Sequence, residues 1–320
     1  MDLDLCLTSG QVFCWQRTSG GAWTGVEGES WFVVGPRAAD GTRRFWTNGP
    51  VEALGRLVRG DVRRRQIDAE ILERGPEVGT ALASLPGLRL LAPPDPEQVL
   101  FSFLCTSNNN LARIGAMVRR LNEFGEAFAE QPDWDSIAAD PGGAPMAAGE
   151  ATVAGFRHRG EGVASGGSAA RVLRRFPGAD RIAAVGESEL RRLGFGYRNR
   201  TIPAVARELL DRPPGWLDSL SQASLAETQR ELCRLPGIGP KLADCIALYG
   251  LGHLEAAPVD THLGRAVCRL YCPEEADRSL SGSRYHRVAA ALRSRFGPLT
   301  GWVQLFLYYH DLRRGRKPGV

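Results

Sequence analysis

The chain has 320 residues, 43% of them hydrophobic and 24% charged, with a formal net charge of +4. This composition excludes a largely disordered chain, a coiled coil and a collagen-like fibre, and the length exceeds one ordinary hydrophobic core, so two or more packed subdomains are expected. No run of about 18 apolar residues offers a membrane span, and the acidic start Met1-Asp2-Leu3-Asp4 lacks the basic opening of a signal peptide, so an intracellular protein with no membrane association is expected.

Residues 1–50 read as strands. Leu3, Leu5 and Leu7 alternate, and Gln11–Arg17, Ala22–Val26, Ser30–Val34 and Thr42–Thr47 are short runs rich in Trp, Phe and Val. Gly and Ser cluster between them at Ser19-Gly20-Gly21 and Gly28-Glu29-Ser30, the pattern of an antiparallel meander. From about residue 51 the period becomes helical. Pro94–Cys105 opens a helix behind a Pro-rich turn, and Leu111–Phe124 repeats apolar residues at i, i+3, i+4 and i+7. The Gly/Ala-rich stretch 137–170 holds almost no large apolar groups and reads as a mobile surface insertion. Helical patterning resumes near Ala170 and runs to Leu312, and Arg313–Val320 reads as a frayed basic tail. The expected fold is α+β: an antiparallel β-sheet domain over residues 1–90, then a mostly α-helical region over 91–320 with a helix–hairpin–helix at 223–252.

The seven cysteines, Cys6, Cys14, Cys105, Cys233, Cys245, Cys268 and Cys272, are odd in number and widely spaced. No disulfide framework or paired-cysteine zinc site is expected, and no four grouped thiolates offer an iron–sulfur cluster.

Of 40 basic residues only Lys241 and Lys317 are lysines; the other 38 are arginines. Arginine serves wherever positive charge alone is needed, but a guanidinium does not deprotonate and cannot attack carbon as an amine. Lys317 sits in the basic tail. Lys241 is interior, so either lysine chemistry is needed there or the residue survives by chance. Its setting is Leu235-Pro236-Gly237-Ile238-Gly239-Pro240-Lys241. A helix over Ala223–Arg234 would end at Pro236 and Gly237, Gly239 would allow a tight reversal, and Pro240 suits the first position of the next helix. The backbone N–H groups of such a hairpin, with Gly237 and Gly239 as the contacts, can bind a phosphate; an ordinary helix–turn–helix connection is the plainer alternative. Lys241 then meets the positive end of a helix dipole, which favours the neutral, nucleophilic amine. Cys245 follows at i+4 on the same face, and Leu242, Ile246 and Tyr249 form an inward apolar stripe.

Downstream comes Pro258-Val259-Asp260-Thr261-His262. Asp260 precedes a helical run, His262–Tyr271, where an aspartate commonly serves as N-cap. A carboxylate so placed stays ionised and can also face a developing cation.

Together these segments resemble the helix–hairpin–helix DNA glycosylases, in their bifunctional, lysine-bearing branch, and most of all the 8-oxoguanine glycosylases. Leu7–Phe13, Phe101–Asn110, Leu193–Arg198 and Gly301–Gln304 fit that family in order, so the resemblance spans nearly the whole chain outside the insertion. It implies a base-excision-repair enzyme that acts as a monomer on double-stranded DNA containing oxidised guanine opposite cytosine. By the same resemblance Lys241 attacks C1′ of the damaged nucleotide, releases the base and leaves a Schiff base open to β-elimination, while Asp260 stabilises the cation-like sugar. In the pocket for the flipped base, the Gly10 carbonyl accepts from the N7–H that 8-oxoguanine has and guanine lacks. Gln304 reads the Watson–Crick edge, and Cys245 and Tyr308 sandwich the ring, with Tyr308 standing where the family usually has Phe. Asn108 fills the gap in the duplex, Tyr197 wedges beside the opposite base, and Arg113 and Arg198 read the unpaired cytosine. His262 contacts phosphate or supports the site, with Asp311 as its partner. No redox cofactor or catalytic metal is implied, only a monovalent cation at the hairpin backbone.

Two other readings stand beside this one. The chain could be a glycosylase of the same fold for another oxidised or alkylated base, or a protein that binds damaged DNA without cutting it. Gly10 and Gln304 argue against the first, and the pairing of Lys241 with Asp260 against the second.

Overall fold

The computed structural model describes residues 1–134, 137, 152–153, 156–158, 172–276 and 282–315. The chain opens with helix α1 (Leu3–Thr8), where strand-like alternation had been expected. The same residues place Leu3, Cys6 and Leu7 at helical spacing, and those three are buried. Asp2 adds the deciding local contact, its side chain accepting from the Leu5 N–H as an N-cap.

The expected meander follows: β1 (Trp15–Arg17), β2 (Trp23–Glu27), β3 (Ser30–Val34) and β4 (Arg43–Thr47), each antiparallel to the next. Two further strands, β5 (Thr152–Val153) and β6 (Phe156–His158), extend the sheet in the order β1-β2-β3-β4-β6-β5, with β6 parallel to β4. They lie in the stretch read as a structureless insertion, most of which falls outside the described residues. Thr, Val and Phe on either side of Ala154-Gly155 carried a hairpin signal that the Gly/Ala-rich flanks obscured.

β2 and β3 are buried along their whole length. On one face the register aligns Trp15 with Gly25 and Gly25 with Phe32. Because Gly25 has no side chain, the Trp15 ring lies across it and stacks on Phe32 at 5.9 Å. A β-carbon on Gly25 would stand 2.1 Å from Trp15 Cδ2. Gly25→Ala is therefore expected to destabilise the protein by about 1–3 kcal/mol, seen as a lower urea midpoint with an unchanged slope. On the other face Val26, Trp31 and Val33 pack with Phe128 and Leu173.

The α-helices that follow are α2 (Glu52–Leu57), α3 (Arg64–Arg74), α4 (Gly79–Ser84), α5 (Pro96–Leu104), α6 (Leu111–Asn122), α7 (Ala179–Arg192), α8 (Arg198–Leu210), α9 (Trp216–Ser219), α10 (Leu225–Leu232), α11 (Pro240–Tyr249), α12 (Thr261–Tyr271), α13 (Gly282–Phe296) and α14 (Thr300–Gly315). Helix α14 carries Arg313 and Arg314, where a frayed tail was expected; residues 316–320 lie outside the described residues. Backbone contacts divide the chain into two units. One comprises Met1–Gln11, Val62–Ala92 and Ala204–Val320, the other Val12–Asp61 and Pro93–Pro203. Val62–Ala92 thus groups with the C-terminal helices and the sheet with Pro93–Pro203, a division other than the sheet domain over 1–90 and helical region over 91–320; the crossing at Pro203–Ala204 lies inside α8, where no change of pattern marks it.

The first unit buries Ile246 and Leu248 of α11, Val267 of α12, Leu292 and Phe296 of α13, and Trp302 and Phe306 of α14. Gly301 permits the close approach of α14: a β-carbon there would meet Leu248 Cδ1 at 2.5 Å. The second unit holds the sheet together with α5 and α6.

Candidate active site

The hairpin between α10 and α11 forms as its glycines and prolines dictate. Ser224 caps α10, accepting from the Glu227 N–H. After α10 ends, the Ile238 N–H donates to the Leu235 carbonyl at 3.2 Å, and both side chains are buried as anchors. Gly237 takes φ 73°, a left-handed conformation that favours glycine. Gly239 is the N-cap of α11 and Pro240 its first residue. Gly237 and Gly239 are both exposed, next to first-turn N–H groups that have no intrahelical partner. The backbone is thus open where a phosphate was expected.

Lys241 lies in the first turn of α11, half-buried. One turn on, burial pushes the Cys245 thiol up to about 11, opposed by the charge and hydrogen bond of Lys241. The thiol is therefore neutral at physiological pH and acts as a soft apolar surface. The rest of α11 from Leu242 to Tyr249 is buried all round, more than the single stripe the sequence suggested.

Asp260 caps α12: one carboxylate oxygen accepts from the Leu263 N–H at 2.8 Å. The residues before it, Pro258 and Val259, are buried, which fixes where the carboxylate sits. Cys245 interacts electrostatically with both Lys241 and Asp260. Tyr249 interacts with Cys245, Tyr308 and Asp260, and its hydroxyl accepts from Gln304 Nε2 at 3.1 Å. These mutual interactions gather Lys241, Cys245, Asp260, Gln304 and Tyr308 into one site, with Tyr249 as a member the sequence reading had assigned only to packing.

Helix α14 presents Gln304, Tyr308 and Asp311 at i, i+4 and i+7, one face of the helix. Gln304 is buried and also donates to the Gly301 carbonyl at 3.2 Å, so its amide orientation is set from within. Tyr308 lies edge-on to the His262 ring, centroids 6.1 Å apart. His262 Nδ1 lies 2.9 Å from Asp311 Oδ2, the pairing anticipated from sequence. Arg265, which was not anticipated, donates to the same oxygen at 2.9 Å. Its place at i+3 from His262 was the available signal. Partial burial raises the Asp311 carboxyl, but hydrogen bonds from Arg265 and His262 outweigh it and hold the group below its usual range. Gly10 takes φ 83° just after α1. Two residues earlier, Thr8 Oγ1 lies 3.1 Å from the Tyr309 hydroxyl, which brings this turn to α14.

Asn108, Arg113, Tyr197 and Arg198 belong to the second unit. Asn110 caps α6, and Asn109 Nδ2 donates to the Cys105 carbonyl at 3.0 Å. Between helices α5 and α6, Asn108 is exposed at φ 48°, a strained conformation that asparagine tolerates better than most residues. Tyr197 is 57% exposed and donates to the Ser107 carbonyl at 3.2 Å. Arg198 donates to the same carbonyl, and its guanidinium lies 4.6 Å from the Tyr197 ring centroid. Asn108, Tyr197 and Arg198 thus meet at one turn. Arg113 is exposed on α6 near it, whereas Arg198 is 4% exposed, more enclosed than a free reader of a base edge.

Among the described residues no group of three or more His, Cys, Asp or Glu is placed to hold a metal ion, and no helix is long and apolar enough to cross a membrane. Residues 161–287 match the HhH-GPD family, described as HhH-GPD superfamily base excision DNA repair protein. The N-glycosylase/DNA lyase OGG1 of Arabidopsis thaliana is 29% identical over 321 residues, covering 98% of this chain and 78% of that protein. The N-glycosylase/DNA lyase of Saccharomyces cerevisiae is 30% identical over 253 residues, 71% of this chain and 57% of that protein. Among solved structures, the Clostridium acetobutylicum 8-oxoguanine glycosylase/lyase in complex with double-stranded DNA containing cytosine opposite 8-oxoG aligns with a TM-score of 0.74 at 20% identity, covering 99% of this chain and 93% of that one; at such identity the likeness establishes the fold.

Proposed function

We propose that the chain is a base excision DNA repair enzyme of the HhH-GPD type, which residues 161–287 match, and that it removes 8-oxoguanine opposite cytosine from duplex DNA and then nicks the strand. The observation that carries this reading is one gathering of residues: the chain's one interior lysine, Lys241, shares a site with the capped carboxylate of Asp260 and the pocket side chains Cys245, Gln304 and Tyr308.

The target nucleotide must first leave the stack to reach Lys241. The neutral Lys241 amine attacks C1′ as the C1′–N9 bond breaks and its electron pair leaves with the base. Positive charge grows on the sugar, and the Asp260 carboxylate stabilises it in place. Loss of a proton and ring opening give the imine. Withdrawal of a C2′ proton then expels the 3′ phosphate and cuts the strand. Cys245 and Tyr308 offer the two faces of the base slot, and the Gly10 carbonyl supplies the N7–H acceptor. Gln304, anchored by Tyr249 and Gly301, reads the Watson–Crick edge. Asn108 occupies the vacated space, Tyr197 buttresses the opposite base, and Arg113 and Arg198 read the cytosine. His262, braced by Asp311, contacts phosphate. Gly237 and Gly239 hold a backbone phosphate. A monovalent cation on the hairpin carbonyls belongs to the proposal, since the exposed glycines leave backbone oxygens, the donors such an ion takes, uncovered by side chains. We take the protein to act as a monomer.

The test is borohydride trapping. A duplex with a single 8-oxoguanine opposite cytosine is expected to yield a covalent protein–DNA adduct, and the same duplex with guanine there none. Tight binding to the lesion duplex without any adduct would overturn the lyase chemistry and leave a monofunctional glycosylase or a damage-binding protein.

A further inference from the structure

Three residues past Lys241 on α11, Asp244 is fully buried. One of its carboxylate oxygens accepts from Gln229 Nε2 of α10, the other from the Tyr285 hydroxyl of α13. The same hydroxyl lies 3.3 Å from the Pro240 carbonyl and 3.1 Å from the Ala257 carbonyl. Pro240 directly precedes Lys241, and Ala257 opens the stretch that ends in Asp260. One hydroxyl therefore touches both backbone segments that carry the two groups assigned to the chemistry. Tyr285 itself is only 4% exposed, so it acts from behind the site.

Proton counting shows how the contact works. Three acceptor oxygens surround a hydroxyl with one proton to give. If Asp244 is ionised it takes that proton, and the two carbonyls receive none. If Asp244 is protonated it donates to the tyrosine oxygen, and the tyrosine proton is free for a carbonyl, Ala257 being the nearer. Burial pushes the Asp244 carboxyl up to about 6, opposed by the hydrogen bonds from Tyr285 and Gln229 and by the nearby Arg293 and His286. Cys233 and Cys245 also lie within its electrostatic reach. In either protonation state the hydroxyl stays between Asp244 and the two backbone segments.

We propose that Tyr285, held by Asp244, is a positioning residue for the Lys241 chemistry: its hydroxyl, hydrogen-bonded to Asp244 of α11, packs against both the first turn of α11 and the loop before Asp260 and so fixes the amine relative to the carboxylate. This inference rests on the functional reading given above.

Tyr285→Phe removes only the hydroxyl. Single-turnover rates of adduct formation would be measured with saturating protein on the 8-oxoguanine:cytosine duplex, for the wild type, Tyr285→Phe, Asp260→Asn and the double variant. Tyr285→Phe is expected to slow the step about tenfold, because small misplacements of reacting groups act strongly on rate. Its affinity for the duplex should stay within about twofold of wild type, separating rate from binding. In the Asp260→Asn background the same change should matter much less, since alignment to a missing charge has little left to lose. A general structural lesion would instead slow both backgrounds by the same factor. An unchanged rate, or equal factors in the two backgrounds, overturns the proposal. A wild-type adduct with normal Tyr285→Phe kinetics overturns this inference alone; no adduct from the wild type overturns the functional reading and this inference with it.

Discussion

Lys241→Gln is expected to abolish the borohydride-trapped adduct and to slow base release by roughly 10³-fold or more, as the loss of a covalent nucleophile would. Glutamine suits a helix and is polar, so it fits a half-buried first-turn position without disturbing the buried remainder of α11. The informative companion is Lys241→Arg. It keeps the positive charge beside Cys245 and Asp260 but has no amine that can lose a proton. If Lys241 served only to attract phosphate or to balance Asp260, arginine would retain much of the activity. If it is the nucleophile, arginine is as inactive as glutamine while binding the duplex at least as well. Gel detection of the adduct, beside a binding titration, separates these outcomes. Lys317→Gln serves as the matched control and should behave as wild type, which shows that the effect belongs to one lysine and not to a change in net charge.

What could be read from the residues alone divides along a physical line. The hairpin was legible to within a residue or two because Pro236, Gly237, Gly239 and Pro240 restrict the backbone locally, each by its own φ and hydrogen-bonding limits. The meander was legible because turn residues punctuate its Trp- and Phe-rich runs. The α1 segment was misread because the alternation of Leu3, Leu5 and Leu7 masked the helical spacing of Leu3, Cys6 and Leu7, and the Asp2 cap that decides it is a single contact. β5 and β6 escaped because their few β-formers sit in low-complexity surroundings. The contacts that assemble the site are of another kind. Arg265 and Asp311, Gln304 and Tyr249, Tyr197 and Ser107, and Tyr285 with Asp244 join residues that share no local pattern. Tertiary packing creates these pairings, and no propensity or periodicity encodes them. Motif resemblance located several of their members, but not the partners that hold them in place.

Asp260 presents the sharper separation of roles, because its N-cap contact is visible and its catalytic charge is inferred. Asp260→Asn is expected to keep the cap, since asparagine's carbonyl can accept from the Leu263 N–H as the carboxylate does. Stability should then stay within a few tenths of a kcal/mol of wild type, while the single-turnover rate falls by about 10²- to 10³-fold, the scale on which one preorganised electrostatic group acts. Asp260→Ala removes both functions. Loss of the cap costs about 1 kcal/mol and frays the start of α12, which also carries His262. Its rate should fall at least as far as that of Asp260→Asn, and its melting temperature should drop as well. The decisive comparison is between rate and stability across the pair. A capping role alone predicts that Asp260→Asn is nearly as active as wild type and that Asp260→Ala loses activity only in step with stability. A role as the anion facing the sugar cation predicts that the two variants differ in melting temperature but share a deep loss in rate. Thermal melts and single-turnover trapping on the same preparations decide between them.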